Sequence, residues 1–183
     1  MRGTSHVIIG VTLTGAILNL TDYNYGIAEA AIAGIGSLLP DIDEDSSTIN
    51  KYIPFSFRKF IYVILGGYLL YQIYKTKNFT LLIPAIVSLL IYFSGHRGFT
   101  HSIAAAVIFT IAFMKTPTYI YPFIIGYGLH LICDMLNEKG IALLYPIKKM
   151  FKSPIHFTMN SLLGRTIELA AVMLSIGAYW TVK

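Results

Sequence analysis

The chain has 183 residues, of which 55% are apolar and only 13% are charged. Soluble domains carry roughly 25% charged residues, so this composition excludes an ordinary soluble globule, and its apolar content excludes a disordered chain. The net charge is +5, but the basic residues are dispersed through short loops, which argues against a nucleic-acid-binding surface. Length and composition therefore predict a polytopic membrane protein with a single domain over residues 1–183.

Seven apolar segments are separated by charged residues or helix breakers, and each predicts a helix. In chain order they lie at 5–20, 25–39, 59–75, 79–95, 101–115, 118–136 and 164–181. A full crossing of the bilayer takes about 20 residues, so we expect half-helices or re-entrant pieces at 25–39 and 101–115. The predicted fold class is an all-α membrane helix bundle, in which the polar loop 44–58 has no assigned role.

The loops sort the charged residues onto two sides of the membrane if all seven segments cross it. Most Lys and Arg residues then share the side of the N-terminus, and the positive-inside rule places that side in the cytoplasm. The same side receives residues that are far apart in sequence, namely His6, Asp41, Asp43, His96, His101, Asp134 and Glu168. Their convergence on one face of the cell membrane predicts a functional site there.

An acidic pair follows the second apolar segment. Pro40 predicts that the preceding helix ends beside it, so Asp41 and Asp43 lie just after the C-terminal end of that helix. Carboxylate oxygens are suitable ligands for divalent cations. The alternative is a solvated acidic turn, because acidic and serine residues continue the polar stretch.

A second polar block, residues 96–102, connects the fourth and fifth segments. Its turn would bring the imidazoles of His96 and His101 to one side, and neutral imidazole is a preferred ligand for zinc and iron. The guanidinium of Arg97 is planar and always charged, which suits it to bind a phosphate group. Arg97 is therefore the candidate catalytic residue. Thr100 is a candidate cap for the fifth helix. The alternative is a pair of interfacial histidines beside an arginine that only sets topology.

His130 and Asp134 lie at positions i and i+4 of the segment 118–136. This spacing places both on one helical face, and an ionisable pair within a membrane helix marks a functional site by default. A hydrogen-bonded pair that only specifies packing is the alternative. His6 and Glu168, near the starts of the first and last helices, are outer candidates, although Glu168 could instead pair with a basic residue of its own helix.

Four sequence blocks carry a resemblance to a known family. They are Thr4-Ser5-His6-x-x-x-Gly10, Leu39-Pro40-Asp41-x-Asp43, His96-Arg97-Gly98-x-Thr100-His101-Ser102 and Gly126-Tyr127-x-x-His130-x-x-x-Asp134. In this order they resemble the bacterial and archaeal membrane-bound metal-dependent hydrolases, one class of which is described as LexA-binding inner-membrane proteins. The match spans nearly the whole chain. It implies a remoter similarity to zinc-dependent phospholipase C and P1-type nucleases, which gather His and Asp residues around zinc ions.

The residues and the resemblance together predict a phosphoester hydrolase at the cytoplasmic face of the membrane. One or two divalent ions, zinc foremost and manganese or iron as alternatives, would be held by His6, Asp41, Asp43, His96, His101, His130, Asp134 and Glu168. The expected substrate is a membrane lipid or a lipid-linked phosphate, and no nucleic acid is expected. Two other classes stay open. One is a non-catalytic scaffold that binds a cytoplasmic protein through 41–58 or 137–160, and the other is a metal or proton transporter.

Overall fold

The computed structural model describes residues 1–44, 55–95, 97–111 and 116–183. Within 55–95, side chains are described from residue 60 onward. In these ranges the chain forms seven α-helices and no β-strand. The helices are α1 (Gly3–Asn19), α2 (Ile27–Leu38), α3 (Phe55–Thr76), α4 (Leu82–Ser94), α5 (Ile103–Ile111), α6 (Ile120–Met135) and α7 (Leu162–Thr181). The all-α fold class is confirmed, and each helix coincides with one predicted segment.

Helix length and surface character fit a membrane bundle. Helix α7 has 20 residues and a mean hydropathy of 1.3, and among the described helices it alone is long and apolar enough to cross a bilayer by itself. Helix α2 has 12 residues and the described part of α5 has 9, as the short segments predict. Large apolar side chains such as Phe93 and Leu174, each 74% exposed, face outward, which suits contact with lipid.

Helices α2 and α6 pack backbone against backbone. A Cβ atom built at Gly126 would lie 2.3 Å from the Ala33 carbonyl oxygen, and one built at Gly36 would lie 2.4 Å from the Phe123 carbonyl oxygen. The hydroxyl of Ser37 donates hydrogen bonds to the carbonyls of Ala33 (2.8 Å) and Gly126 (3.2 Å). Small residues are needed at such crossings. This contact brings the C-terminal end of α2 beside the last turns of α6.

The predicted helix end at Pro40 is confirmed, because α2 ends at Leu38 and a 3-10 helix follows over Leu39–Asp43. A second 3-10 helix, Phe99–His101, precedes α5. The predicted cap of α5 is wrong: the hydroxyl of Ser102, not Thr100, accepts the Ala105 N–H at 3.1 Å. Thr100 is turned inward, and its carbonyl accepts a hydrogen bond from the buried hydroxyl of Tyr127.

A non-helical connection, which we call the α6–α7 segment (residues 136–161), folds back over the end of α6. The backbones of Ile141 and Phe151 exchange hydrogen bonds of 2.9 and 2.8 Å. The Ser153 N–H donates to the Met135 carbonyl at 2.8 Å, and the Phe157 N–H donates to the Leu136 carbonyl at 3.0 Å. These bonds fix the segment against the end of the helix that carries His130 and Asp134.

Candidate metal centre

Four buried side chains from three parts of the chain converge at the end of the bundle. Asp41 comes from the 3-10 helix after α2, His101 from the 3-10 helix before α5, and His130 and Asp134 from α6. One donor atom from each lies within 4.8 Å of the others. The structure thus brings together half of the predicted ligand set, although these residues span more than ninety positions of sequence.

The spacing of the donor atoms suits a single ion. The Nε2 atom of His101 lies 3.4 Å from oxygens of both Asp41 and Asp134 and 3.3 Å from Nε2 of His130. His130 Nε2 lies 3.5 Å from Asp41 and 3.9 Å from Asp134. Donors about 2.0–2.1 Å from a central zinc ion would lie about 3.3–3.4 Å apart at the corners of a tetrahedron. The five separations that involve His101 or His130, 3.3–3.9 Å, are close to this value.

The other nitrogen of each imidazole is already occupied. His130 Nδ1 lies 2.7 Å from the Ser37 carbonyl oxygen, and His101 Nδ1 lies 3.2 Å from the Thr100 hydroxyl. A carbonyl can only accept, so the hydrogen of a neutral His130 ring sits on Nδ1 and its Nε2 presents a lone pair. Hydrogen bonds of this kind orient metal-binding histidines in proteins. The arrangement therefore favours coordination through Nε2.

His6 lies directly beside the four-residue cluster. Its ring stacks on that of His130 with centroids 4.0 Å apart, and its Nε2 lies 3.3 Å from Oδ1 of Asp134. The residue is 2% exposed, yet neither ring nitrogen makes a hydrogen bond of ordinary geometry to any residue that the structure describes. A buried polar group left without a partner costs about 1–3 kcal/mol. A metal ion bound nearby would satisfy this ring.

The charges in the cluster shift the ionisation of its members. Burial raises the pKa of Asp41, but the hydrogen bond from His101 and the field of the neighbouring imidazoles outweigh it and lower the pKa below its ordinary value. Burial lowers the pKa of His101, but its hydrogen bonds with Asp134 and Asp41 outweigh burial and raise the pKa to about 9. The carboxylates thus attract positive charge to this point, as a cation site requires.

Arg97 contacts the cluster through its side chain. Its Nη1 donates to the Gly140 carbonyl at 2.9 Å, and its Nη2 lies 3.6 Å from Oδ2 of Asp134. Its backbone has φ of 63°, a left-handed conformation that is unfavourable for a non-glycine residue. The α-amino group of Met1 lies 3.6 Å from the other oxygen of Asp134. Arg97 therefore helps to hold Asp134, a role that the phosphate-binding prediction did not include.

A polar cavity of about 190 Å³ opens beside the cluster. Two of the donor residues, Asp41 and Asp134, reach its wall together with Arg97. The rest of the wall comes largely from the α6–α7 segment and includes Asn137, Glu138, Lys139, Thr158, Met159 and Asn160. The donors are thus buried but open on one side to a space that could admit water and a small polar group.

The remaining predicted ligands fall into three groups. Asp43 is half-buried and lies outside the four-residue cluster. The Glu168 carboxylate accepts a hydrogen bond from the Arg2 N–H at 2.8 Å and another from Ser5, so it holds the start of α1. His96 lies outside the described residues, as does most of the loop 44–58.

Sequence reasoning missed Ser37, which orients His130 through its backbone carbonyl. Every residue has a carbonyl, so nothing in the sequence singles this one out. The contact between Arg97 and Asp134 was missed for a different reason. Opposite charges predict a pair only once the fold has brought the two residues together.

Comparison with known proteins finds a family that matches the chain over its full length. The family model of the YdjM inner membrane proteins matches residues 1–183. An uncharacterized protein, YvsG of Bacillus subtilis (strain 168), is 26% identical over 98% of this chain and 94% of its own length. The inner membrane protein YdjM of Escherichia coli (strain K12) is 38% identical over 33% of this chain and 35% of its own.

No solved structure matches the chain. The full-length family match confirms the membrane-bound part of the resemblance that the four sequence blocks suggested. The chain belongs to the YdjM inner membrane protein family.

Proposed function

We propose that this protein is a membrane-embedded, metal-dependent hydrolase that cleaves a phosphoester of a membrane lipid or a lipid-linked phosphate. The observation that carries the proposal is the buried cluster of Asp41, His101, His130 and Asp134, whose donor atoms lie within 4.8 Å of one another beside a polar cavity. A cluster used only for packing would have no need of an open side. The distribution of basic residues in the sequence supports a site that faces the cytoplasm.

The four donors would hold one divalent ion, and His6 is near enough to add a further nitrogen. Two imidazoles and two carboxylates suit zinc best, with manganese and iron as alternatives. Such an ion supplies Lewis-acid activation of water and of a phosphoryl oxygen at neutral pH. In the chain itself, Ser37 and Thr100 orient the two histidines, and Arg97 holds Asp134 in place.

The cavity wall supports a phosphorylated substrate. Arg97 and Lys139 contribute positive charge, and Asn137 and Asn160 contribute amide donors. Donors and cations placed where charge develops stabilise a phosphoryl group during its transfer. The acidic residues Glu44 and Glu138 share this wall, and the Glu138 carboxylate already accepts a hydrogen bond of 2.6 Å from the Thr158 hydroxyl.

Metal content and turnover together test the proposal. The purified full chain in detergent should contain about one zinc, manganese or iron ion by inductively coupled plasma mass spectrometry, as a single four-donor site implies. It should also hydrolyse a chromogenic phosphodiester. His101→Ala and Asp134→Ala should each lose both properties, because each removes a donor from the cluster.

The matched control is His156→Ala, which removes an exposed histidine of the α6–α7 segment. It should retain the metal and the activity. A native chain that neither contains metal nor takes up added zinc would contradict the proposal. Full turnover in the His101 or Asp134 variant would contradict it equally.

A further inference from the structure

We propose that the part of the α6–α7 segment from Leu144 to Ile155, called here the lysine loop, lies in the headgroup layer and binds an anionic lipid surface beside the candidate metal centre. This inference goes beyond the proposed hydrolase and does not depend on a bound metal. Three observations support it: exposed apolar side chains, lysines without acidic neighbours in the sequence, and hydrogen bonds that attach the loop to α6.

The first observation is the apolar surface of the lysine loop. Ile155 is 77% exposed and Ile147 is 60% exposed, and Leu144 and Met150 are also exposed. The loop contains no helix or strand, so these exposed side chains do not belong to the lipid-facing side of a spanning helix. Large apolar residues grouped on a connection are unfavourable in water, whereas the boundary between headgroups and acyl chains accommodates them.

The second observation is the charge between these apolar residues. Lys148, Lys149 and Lys152 are all exposed. The sequence contains no Asp or Glu between Glu138 and Glu168. A basic cluster beside membrane helices is attracted to the anionic lipids of the adjacent leaflet. The alternation of lysine and large apolar residues matches a lipid surface, which offers negative headgroups above an apolar layer.

The third observation is where the lysine loop is held. Phe151 and Ser153 are hydrogen-bonded to Ile141 and Met135, so the loop is fixed to the end of α6. Thr158, Met159 and Asn160, which follow the loop, line the cavity. A lipid bound at the lysine loop would therefore have its headgroup close to the mouth of that cavity.

Spin labels on the full chain in lipid nanodiscs test the proposal. Ile147→Cys and Ile155→Cys are labelled with a nitroxide, and collisions with oxygen and with a water-soluble nickel chelate are measured. The references are Asn160→Cys in the polar cavity wall and Leu174→Cys on the exposed apolar face of α7. The unsubstituted chain gives the background, because its one cysteine, Cys133, is buried. Discs contain phosphatidylcholine alone or a mixture with phosphatidylglycerol.

In discs with phosphatidylglycerol, labels at 147 and 155 should collide several-fold less often with the nickel chelate than the label at 160, while oxygen collisions rise toward those at 174. The combined Lys148→Glu, Lys149→Glu and Lys152→Glu variant should lose this shift. Lys75→Glu with Lys77→Glu, at the far end of α3, should keep it. Bound metal is measured in the same samples, so failure here is distinguishable from failure of the proposed hydrolase.

Three results would overturn the proposal. Labels at 147 and 155 that are as accessible to nickel as the label at 160 in both kinds of disc would place the lysine loop in water. Labels shielded from oxygen and nickel alike would indicate that protein, either a partner or a second copy of this chain, covers the loop. An equal shift with and without phosphatidylglycerol would overturn the requirement for anionic lipid.

Discussion

Two helix pairs of the same bundle are packed in different ways. Between α2 and α6, a Cβ at Gly126 would meet the Ala33 backbone oxygen at 2.3 Å. Between α3 and α4, a Cβ at Gly66 would first meet the side chain of Leu89, at 2.9 Å. A backbone carbonyl cannot move aside, whereas a leucine side chain can rotate. The Ala85 backbone oxygen would lie farther away, at 3.3 Å from a Cβ at Gly66, so the α2–α6 pair is the more closely packed of the two at these glycines.

The two pairs also bury different groups. The α2–α6 pair buries Ser37, His130 and Asp134, whereas α4 in the described part of the other pair buries mainly apolar residues, namely Ala85, Val87 and Ile91. Metal ligands must be held within fractions of an ångström, which a close backbone contact achieves. Of these two pairs, the one that carries candidate donors therefore has the closer backbone contact.

Gly126→Ala, which alters the α2–α6 contact, is expected to have the largest effect on stability and metal binding. The added methyl would push α6 away from α2 and separate Asp41 from His130. Overpacking of a tight contact costs roughly 3 kcal/mol. We expect a lower midpoint of thermal unfolding in detergent and a loss of bound metal.

Gly128→Ala is the matched control, because it lies on the same helix and a Cβ there would meet no atom within 4 Å. It should leave the unfolding midpoint and the metal content unchanged or raise the midpoint slightly, since alanine favours helix over glycine. Equal behaviour of the two variants would show that the α2–α6 contact does not hold the cluster.

His6→Ala tests whether the stacked imidazole belongs to the metal centre. The variant removes a buried ring that stacks on His130 and whose Nε2 lies 3.3 Å from Oδ1 of Asp134. We expect metal affinity to fall about 10–100-fold, as for other changes around a metal site. Competition with a chromogenic chelator measures this change. An unchanged affinity would make His6 a packing residue only.

Arg97→Lys separates two roles of the arginine. Lysine is a point charge and cannot contact both the Gly140 carbonyl and the Asp134 carboxylate as the guanidinium does. If Arg97 holds Asp134, metal affinity should fall by roughly tenfold. If KM for the phosphodiester rises while metal affinity stays constant, Arg97 instead binds the substrate, as its sequence block first indicated.

The smallest effect is expected from Tyr127→Phe. It removes the hydrogen bond to the carbonyl of Thr100, the residue before His101. This should cost about 1 kcal/mol in the free energy of unfolding. Tyr68→Phe on α3 is the control, because the hydroxyl of the exposed Tyr68 bonds only to Gln72, at 2.7 Å, in the described part of the chain. Chemical unfolding of both variants compares a buried with an exposed hydroxyl. Equal losses of stability would show that burial does not make the Tyr127 hydrogen bond more important than the exposed one.

The sequence predicts the helices and the centre of the candidate site well. Runs of apolar residues between breakers are a local signal, and the end of α2 at Leu38 follows from Pro40 alone. His130 and Asp134 could be paired because helical spacing fixes their relative position. Asp41 and His101 could be added because the topology places them at the same face.

Contacts that depend on exact tertiary placement could not be predicted. Glu168 has the charge of a ligand, but the structure places it against the Arg2 N–H at the start of α1. The stacking of His6 on His130 depends on how α1 crosses α6, which no residue pattern encodes. Thr100 has the right chemistry for a helix cap, yet packing turns it inward and leaves Ser102 to accept the bond.

The hydrogen bond from His130 to Ser37 affects how mutational data on this protein should be interpreted. The acceptor is a backbone carbonyl, so Ser37→Ala removes the two bonds of the hydroxyl but leaves the support of the histidine in place. An alanine scan would therefore assign little importance to a residue that fixes a ligand. Replacing the amide between Ser37 and Leu38 by an ester would weaken that carbonyl as an acceptor and reveal its contribution directly.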